Sequence, residues 1–143
     1  MASKDSTGFT DAEKKAMQDR AEELRAEKGG AKKADLEKAA LDAIAEMNDS
    51  DRAIIERVHA LALRHAPDLR LKLWYGMPAW ARDKDIIFFV QQAEKFEARY
   101  ATFGFNPPAN LDDGDMWPTS FAVKRITPAV EKTMAGLIQR AVG

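Results

Sequence analysis

The stretch DLRLKLWYGMPAWARDKDIIFFV, residues 68–90, decides the fold because its hydrophobic pattern is that of strands, alternating at its start and continuous at its end. From residue 69 to residue 73 leucine alternates with a basic residue, which is the pattern of a strand with one buried face. Residues 79–82 form a second short strand, and the continuous apolar run 86–90 is typical of a strand buried on both faces. Because parallel strands need crossovers of a dozen or more residues, the short turns here predict antiparallel pairing.

Helices are predicted on both sides of this region, where apolar residues recur at helical spacing. Thr10 and Glu13 have the spacing of a capping box, which favours a helix up to about residue 28. Further helices are expected over 34–47, from Ser50 to the residue before Pro67, and from Pro128 onward, with further strands over 97–105 and 120–126.

The predicted helices come first, the strands follow as a group, and one helix comes last. This order of elements is typical of an α+β protein. We therefore expect N-terminal helices, a five-stranded and mainly antiparallel sheet, and a C-terminal helix packed on that sheet. Residues 1–33 are predicted to be a polar N-terminal extension with one helix, and residues 34–143 a single domain. The apolar stripe of that first helix is thin, with Met17, Ala21 and Leu24 only, which predicts light docking.

The composition excludes several classes of function. A formal net charge of −1 gives no overall field that would favour nucleic acid or an anionic membrane. The absence of cysteine excludes disulfides, thiol catalysis, iron–sulfur clusters and Cys-based zinc sites. The start MASKDSTGF has no apolar core of a signal peptide, and the apolar run 86–90 is far short of the ~20 residues of a membrane span. We expect a cytoplasmic protein without nucleic-acid or membrane partners.

The phrase LWYGMPAW, residues 73–80, concentrates aromatic side chains around a bend and has two interpretations. Gly76 permits backbone angles that other residues avoid, and Pro78 removes a ladder donor, so the phrase fits a corner between two strands. Tryptophan and tyrosine also offer large surfaces with a polar handle, which suits a ligand platform. We call residues 74–80 the aromatic corner. As a binding site, it would use Trp74, Tyr75 and Trp80, with Arg99 as an anion partner.

A second candidate site is the negatively charged segment 34–56, which has seven acids and two bases and so a net charge of −5. At ~100° per residue, three of its carboxylates fall within about 40° of one another on the predicted second helix, and a fourth extends the row if that helix continues by one turn. Oxygen ligands on an open surface suit hard cations, which they bind weakly, and a solvated helix face is the alternative interpretation. We call these four residues the acidic row: Asp35, Asp42, Glu46 and Asp49.

The sequence lacks the other common catalytic and ligand-binding motifs. His59 and His65 are six positions apart, so they lie on opposite sides of a helix and cannot share a metal as i, i+4 ligands do. The chain contains no phosphate-binding loop, no G-x-S-x-G elbow and no complete calcium loop. Enzymatic activity is therefore the function class that the sequence favours least, and no catalytic residue is predicted.

Four phrases of the sequence resemble the YdhG-like family, a bacterial domain of unknown function. They are WYGMPAW at 74–80, ARYATFGF at 98–105, ANLDDGDMWPTSFAV at 109–123 and ITPAVE at 126–131. The likeness covers roughly residues 34–142 and implies an α+β fold with a helix-flanked antiparallel sheet. Some members are described as frataxin-like iron chaperones, which implies iron as cargo and an iron-cluster assembly protein as partner. Carried over by residue type, that role would fall on the acidic row.

Two functions follow from these observations. The first is a non-enzymatic, frataxin-like iron-binding protein or iron chaperone that uses the acidic row as a weak surface site. The alternative is a module that binds a small molecule or a protein partner with the aromatic corner.

Overall fold

The computed structural model describes residues 8–143, so the first seven residues of the predicted N-terminal extension lie outside the described part. Four helices and five strands follow one another along the chain. They are α1 (Asp11–Lys28), α2 (Lys33–Ala45), α3 (Asp49–His65), β1 (Arg70–Trp74), β2 (Met77–Arg82), β3 (Asp85–Gln91), β4 (Ala101–Phe105), β5 (Ser120–Val123) and α4 (Pro128–Val142).

The strands form one antiparallel sheet whose spatial order is the same as their order in the chain. The predicted α+β class, with helices before the sheet and one helix after it, is confirmed. The capping box of α1 is also confirmed, because Thr10 and Glu13 exchange backbone-to-side-chain hydrogen bonds of 3.0 Å. No helix within residues 8–143 is long and apolar enough to cross a membrane.

The inner face of the sheet carries the main hydrophobic core. Cross-strand neighbours lie on the same face, and the register aligns Leu71 with Trp80, Trp80 with Phe88, and Phe88 with Phe105. These side chains pack with apolar residues of α2, α3 and α4, which cover this face. The helices contribute Ala40, Ile44, Ile54, Val58, Met134 and Ile138 among others.

The outer face carries a second, smaller cluster of Ala79, Ala81 and Ile86, with Trp74 and Phe89 packed against it. The two rings meet edge to face with centroids 5.3 Å apart. The ring of Phe89 also fills the space above Gly104 on the neighbouring strand, where a Cβ would collide with it. Small residues on the central strands thus leave room for two large rings on the same face.

Several predicted element boundaries are wrong. The strand predicted over 97–105 begins only at residue 101, because residues 93–98 form a turn closed by a hydrogen bond from Ala98 N to Ala93 O. The second strand begins at residue 77 rather than 79, and the fifth ends at residue 123 rather than 126. The second helix ends at Ala45, two residues before its predicted end.

The first helix docks through its charged face, so the predicted apolar stripe is wrong. Met17 and Leu24 are each 41% exposed, whereas Ala16 is the buried residue of α1. The side of α1 that faces the remainder of the chain carries Asp19, Glu23 and Glu27, which bind donors on and beside β1 and after β3. Apolar periodicity could not reveal this contact because ion pairs and hydrogen bonds make it.

We expect the free energy of unfolding to depend on pH through His59. Trp80 Nε1 donates a hydrogen bond to His59 Nδ1 at 3.2 Å, so the imidazole ring of His59 must be neutral. Burial lowers the pKa of His59, and the negative charge of Glu37 raises it by a smaller amount. The unfolded chain therefore binds the proton at higher pH than the folded one. The contribution of His59 to stability is present above the ordinary value of 6.5 and is lost as the pH falls toward the lowered pKa.

Urea unfolding from about pH 7.5 to about pH 5.5 tests this expectation. His59→Gln keeps a neutral acceptor beside Trp80 at every pH, so its free energy of unfolding should fall less than that of the unmodified protein. An equal or larger fall in the variant would contradict the role given to His59.

Candidate functional site

A cleft of about 590 Å³ lies between α1, α2, the β1–β2 turn and the segment that follows β3. One wall is the charged face of α1, and α2 contributes apolar side chains. We call this space the cleft. Residues on its walls include Glu22, Leu36, Ala39, Glu46, Gly76 and Gln92.

The β1–β2 turn brings α1 to this position. The turn has two residues, Tyr75 and Gly76, with φ of 55° and 76°. Positive φ at both central positions is the conformation that matches the twist of an antiparallel pair. Both N–H groups of the turn donate to the carboxylate of Glu23, at 2.9 Å and 2.7 Å. One side chain of α1 therefore satisfies both backbone donors of this two-residue turn.

Ion pairs on either side of Glu23 complete the docking of α1. Lys72 Nζ on β1 lies 2.7 Å from Glu27 Oε1. Lys95 Nζ, after β3, lies 2.6 Å from Asp19 Oδ2, and Lys15 Nζ lies 2.7 Å from Asp19 Oδ1. Burial acts to raise the pKa of Asp19, but hydrogen bonds from Lys15 and Lys95 outweigh it, and the pKa lies below its ordinary value. All three lysines of the cleft are thus held by carboxylates.

The start of α3 forms another part of the wall. Asp51 is 2% exposed and accepts hydrogen bonds from the N–H groups of Ala93 and Glu94, at 3.0 Å and 3.1 Å. Asn48 caps the helix by accepting from Asp51 N, and its Nδ2 donates to Glu94 Oε2 at 2.6 Å. A carboxylate in the first turn of a helix is also stabilised by the helix dipole. These bonds fix the segment after β3 against α3.

Gln92 is the polar side chain of the cleft whose hydrogen bonding is incomplete. It is 4% exposed, and its Nε2 donates to Gly76 O at 2.9 Å. Its Oε1 has no hydrogen-bond partner within residues 8–143. Glu27 Oε2 accepts no hydrogen bond there either, but Arg20 Nη1 forms an ion pair with it at 3.5 Å. The amide oxygen of Gln92 is therefore a buried acceptor on the cleft wall that lacks a donor in the described part of the chain.

The structure separates the residues of the aromatic corner instead of joining them into one platform. Trp80 is 1% exposed on the inner face, stacked on Phe88 with centroids 5.3 Å apart. Trp74 is half-buried on the outer face, where its ring contacts Tyr75 and Phe89 edge to face. Residues 74 and 80 point to opposite faces because each strand alternates its side chains. Arg99 is exposed and lies over the ring of Tyr100, 5.1 Å from its centroid.

The acidic row is also dispersed. Because α2 ends at Ala45, Asp49 begins α3 and does not extend the row, so that part of the prediction is wrong. Three of the carboxylates have local partners: Asp35 with the Lys32 N–H, Asp42 with Lys38 and Asp49 with Arg52. Glu46 is the member that lines the cleft. Within residues 8–143 no three histidine, aspartate or glutamate side chains are grouped closely enough to hold a metal ion.

Sequence reasoning missed most of the cleft, although one signal for it was present. Asp19, Glu23 and Glu27 recur at every fourth position and so form one stripe on α1. Such a stripe is as regular as an apolar one and could have indicated the docked face. Gln92 had no signal, because its burial results from contacts between segments distant in sequence.

Comparison with family models, with curated proteins and with solved structures finds no match to this chain. The resemblance to the YdhG-like family therefore stays a prediction that rests on the phrases quoted above.

We expect Glu23→Ala to loosen α1, because two backbone N–H groups lose a charged acceptor. Loss of such bonds should lower the free energy of unfolding by about 2 kcal/mol. Amide hydrogen exchange at Tyr75 and Gly76 should become faster. Glu22→Ala is the matched control, because it removes an exposed carboxylate from the preceding position of the same helix. Unchanged exchange at the turn in Glu23→Ala would show that Glu23 does not hold α1.

Proposed function

We propose that this protein is a non-enzymatic binding protein whose ligand is a small polar molecule held in the cleft. The observation that carries the proposal is Gln92, a buried side chain on the cleft wall whose amide oxygen has no donor within residues 8–143. Nearly all buried polar atoms have a hydrogen-bond partner, and an unpaired one is costly. This oxygen has almost no accessible surface, so a ligand would reach it by displacing neighbouring side chains, and a donor placed there would remove that cost.

The size and lining of the cleft support the same proposal. Small-molecule sites typically have volumes of about 300–1,000 Å³ and combine apolar walls with a few polar groups. The cleft, at about 590 Å³, combines apolar side chains of α2 with carboxylates of α1. The apolar part of the wall includes Leu36, Ala39, Ala43 and Met47.

The electrostatics of the cleft favour binding over acid–base chemistry. The pKa of Asp19 is lowered, and hydrogen bonding to Asp19 raises the pKa of Lys15. Both changes hold the groups in their charged forms at neutral pH. A general acid or base works best with a pKa near the operating pH. The pKa values of Asp19 and Lys15 are both shifted away from neutral pH.

Blocking the cleft tests the proposal. Ala39 is exposed on α2 and lines the cleft, so Ala39→Trp should fill part of the space with little effect on folding. Leu41→Trp places the same ring on the same helix outside the cleft. A library of polar metabolites is screened by thermal unfolding, where a ligand at about 100 times its Kd adds about 2.7 kcal/mol of stability.

Ligands of the cleft should stabilise the unmodified protein and Leu41→Trp but not Ala39→Trp. The proposal fails if no compound stabilises the unmodified protein, or if the stabilising compounds act equally on both variants.

Iron binding by the acidic row stays a second prediction, supported by the net charge of −5 over residues 34–56. In a titration with ferrous iron up to millimolar concentration, amide resonances of residues 34–56 should broaden. Asp42→Asn and Glu46→Gln should each reduce the broadening, because both residues belong to the row. If resonances in this segment do not broaden, the acidic row binds no iron.

A further inference from the structure

The side chains that line the cleft have a surplus of acceptors. Seven of them are acidic and three are lysines, which leaves four negative charges in excess. Each lysine already contacts a carboxylate: Lys15 and Lys95 contact Asp19, and Lys72 contacts Glu27. The amide donors of the lining are also engaged, since Asn48 Nδ2 binds Glu94 and Gln92 Nε2 binds Gly76 O.

Three acceptor groups remain for a ligand. Glu22 and Glu46 are exposed at the cleft, and neither has a hydrogen bond or ion pair within residues 8–143. Gln92 Oε1 is buried and accepts no hydrogen bond in the same part of the chain, whereas both oxygens of Glu27 are ion-paired, with Lys72 and Arg20. A molecule that fits this wall must therefore bring donors and positive charge. A carboxylate or phosphate would add acceptors to a space that already has too many.

The spacing of the acceptors favours an organic cation over a metal ion. A bound metal needs several oxygen ligands at about 2–2.6 Å, all converging on one point. Within residues 8–143 no group of three acidic or histidine side chains could do this. Glu22 belongs to α1 and Glu46 follows α2, and apolar residues lie among the polar ones. An ammonium group differs from a metal ion because it offers three separate N–H donors.

We propose that the ligand of the cleft is an aliphatic amine, of the class of alkyl diamines and polyamines. This inference rests on the proposed function and names the chemistry of its ligand. Ammonium groups bind Glu22 and Glu46 and supply a donor to Gln92 Oε1. The methylene chain between the ammonium groups lies against the apolar side of α2, where Leu36, Ala39 and Ala43 line the cleft.

Calorimetric titration with 1,5-diaminopentane tests the inference on the full chain. We expect one molecule to bind per chain, and Glu46→Gln to weaken binding by up to about fivefold, the factor for an exposed ion pair. Asp42→Asn is the matched control, because it removes the same charge from the same acidic segment outside the cleft. It should leave the affinity unchanged. Circular dichroism checks that both variants fold, and both substituted residues are exposed.

Pentane-1,5-diol has the same chain without positive charge and should not bind. Equal weakening by Asp42→Asn and Glu46→Gln would show attraction by the overall charge and overturn the inference, as would equal binding of the diol and the diamine. Ala39→Trp should abolish diamine binding by occupying the space, independently of charge, and undiminished binding to that variant would also contradict the inference.

The two proposals fail in different ways. If the diamine does not bind but another compound stabilises the protein and is blocked by Ala39→Trp, the amine inference is wrong and the binding cleft stands. If neither the diamine nor any compound of the library binds, both proposals are wrong.

Discussion

The β1–β2 turn at Tyr75 and Gly76 is the constraint on which both the sheet and the cleft depend. Its two positive φ values direct both N–H groups toward Glu23 of α1, while Gly76 O accepts from Gln92. A Cβ at residue 76 would lie 2.5 Å from Asp19 Oδ2 and 2.8 Å from Lys95 Cε. Glycine suits this position because it adopts the positive φ without strain and because it leaves room for the side chains of the ion pair.

The same turn explains why α1 docks without an apolar face. A two-residue turn leaves N–H groups that do not bond to the neighbouring strand. A carboxylate is ionised at neutral pH and is therefore a strong acceptor for them. Once Glu23 is fixed there, Asp19 and Glu27, one helical turn to either side, reach Lys95 and Lys72. A polar helix thus gains a defined position, and the space between it and α2 becomes a cleft lined by charge instead of a closed apolar core.

Aromatic side chains divide between the two faces of the sheet and serve its packing. Trp80 and Phe88 belong to the inner core with the helices, whereas Trp74 and Phe89 cover small residues on the outer face. Of the two interpretations of the aromatic corner, Trp80 fits the structural one, because its ring lies in the core and its indole N–H donates to His59. The polar wall beside the turn, rather than its rings, offers groups that lack partners.

The sequence by itself determined the fold class, the antiparallel pairing of the strands and the capped start of α1. These features are encoded locally, by alternation of leucine with basic residues over 69–73 and by pairs such as Thr10 with Glu13. Only the tertiary structure decided which face of α1 is docked, where α2 ends relative to the acidic row, and that Gln92 is buried with a free acceptor. The physical reason is that ion pairs and burial of polar groups join residues tens of positions apart. Hydrophobic periodicity, which reports each segment's own buried face, does not record such pairings.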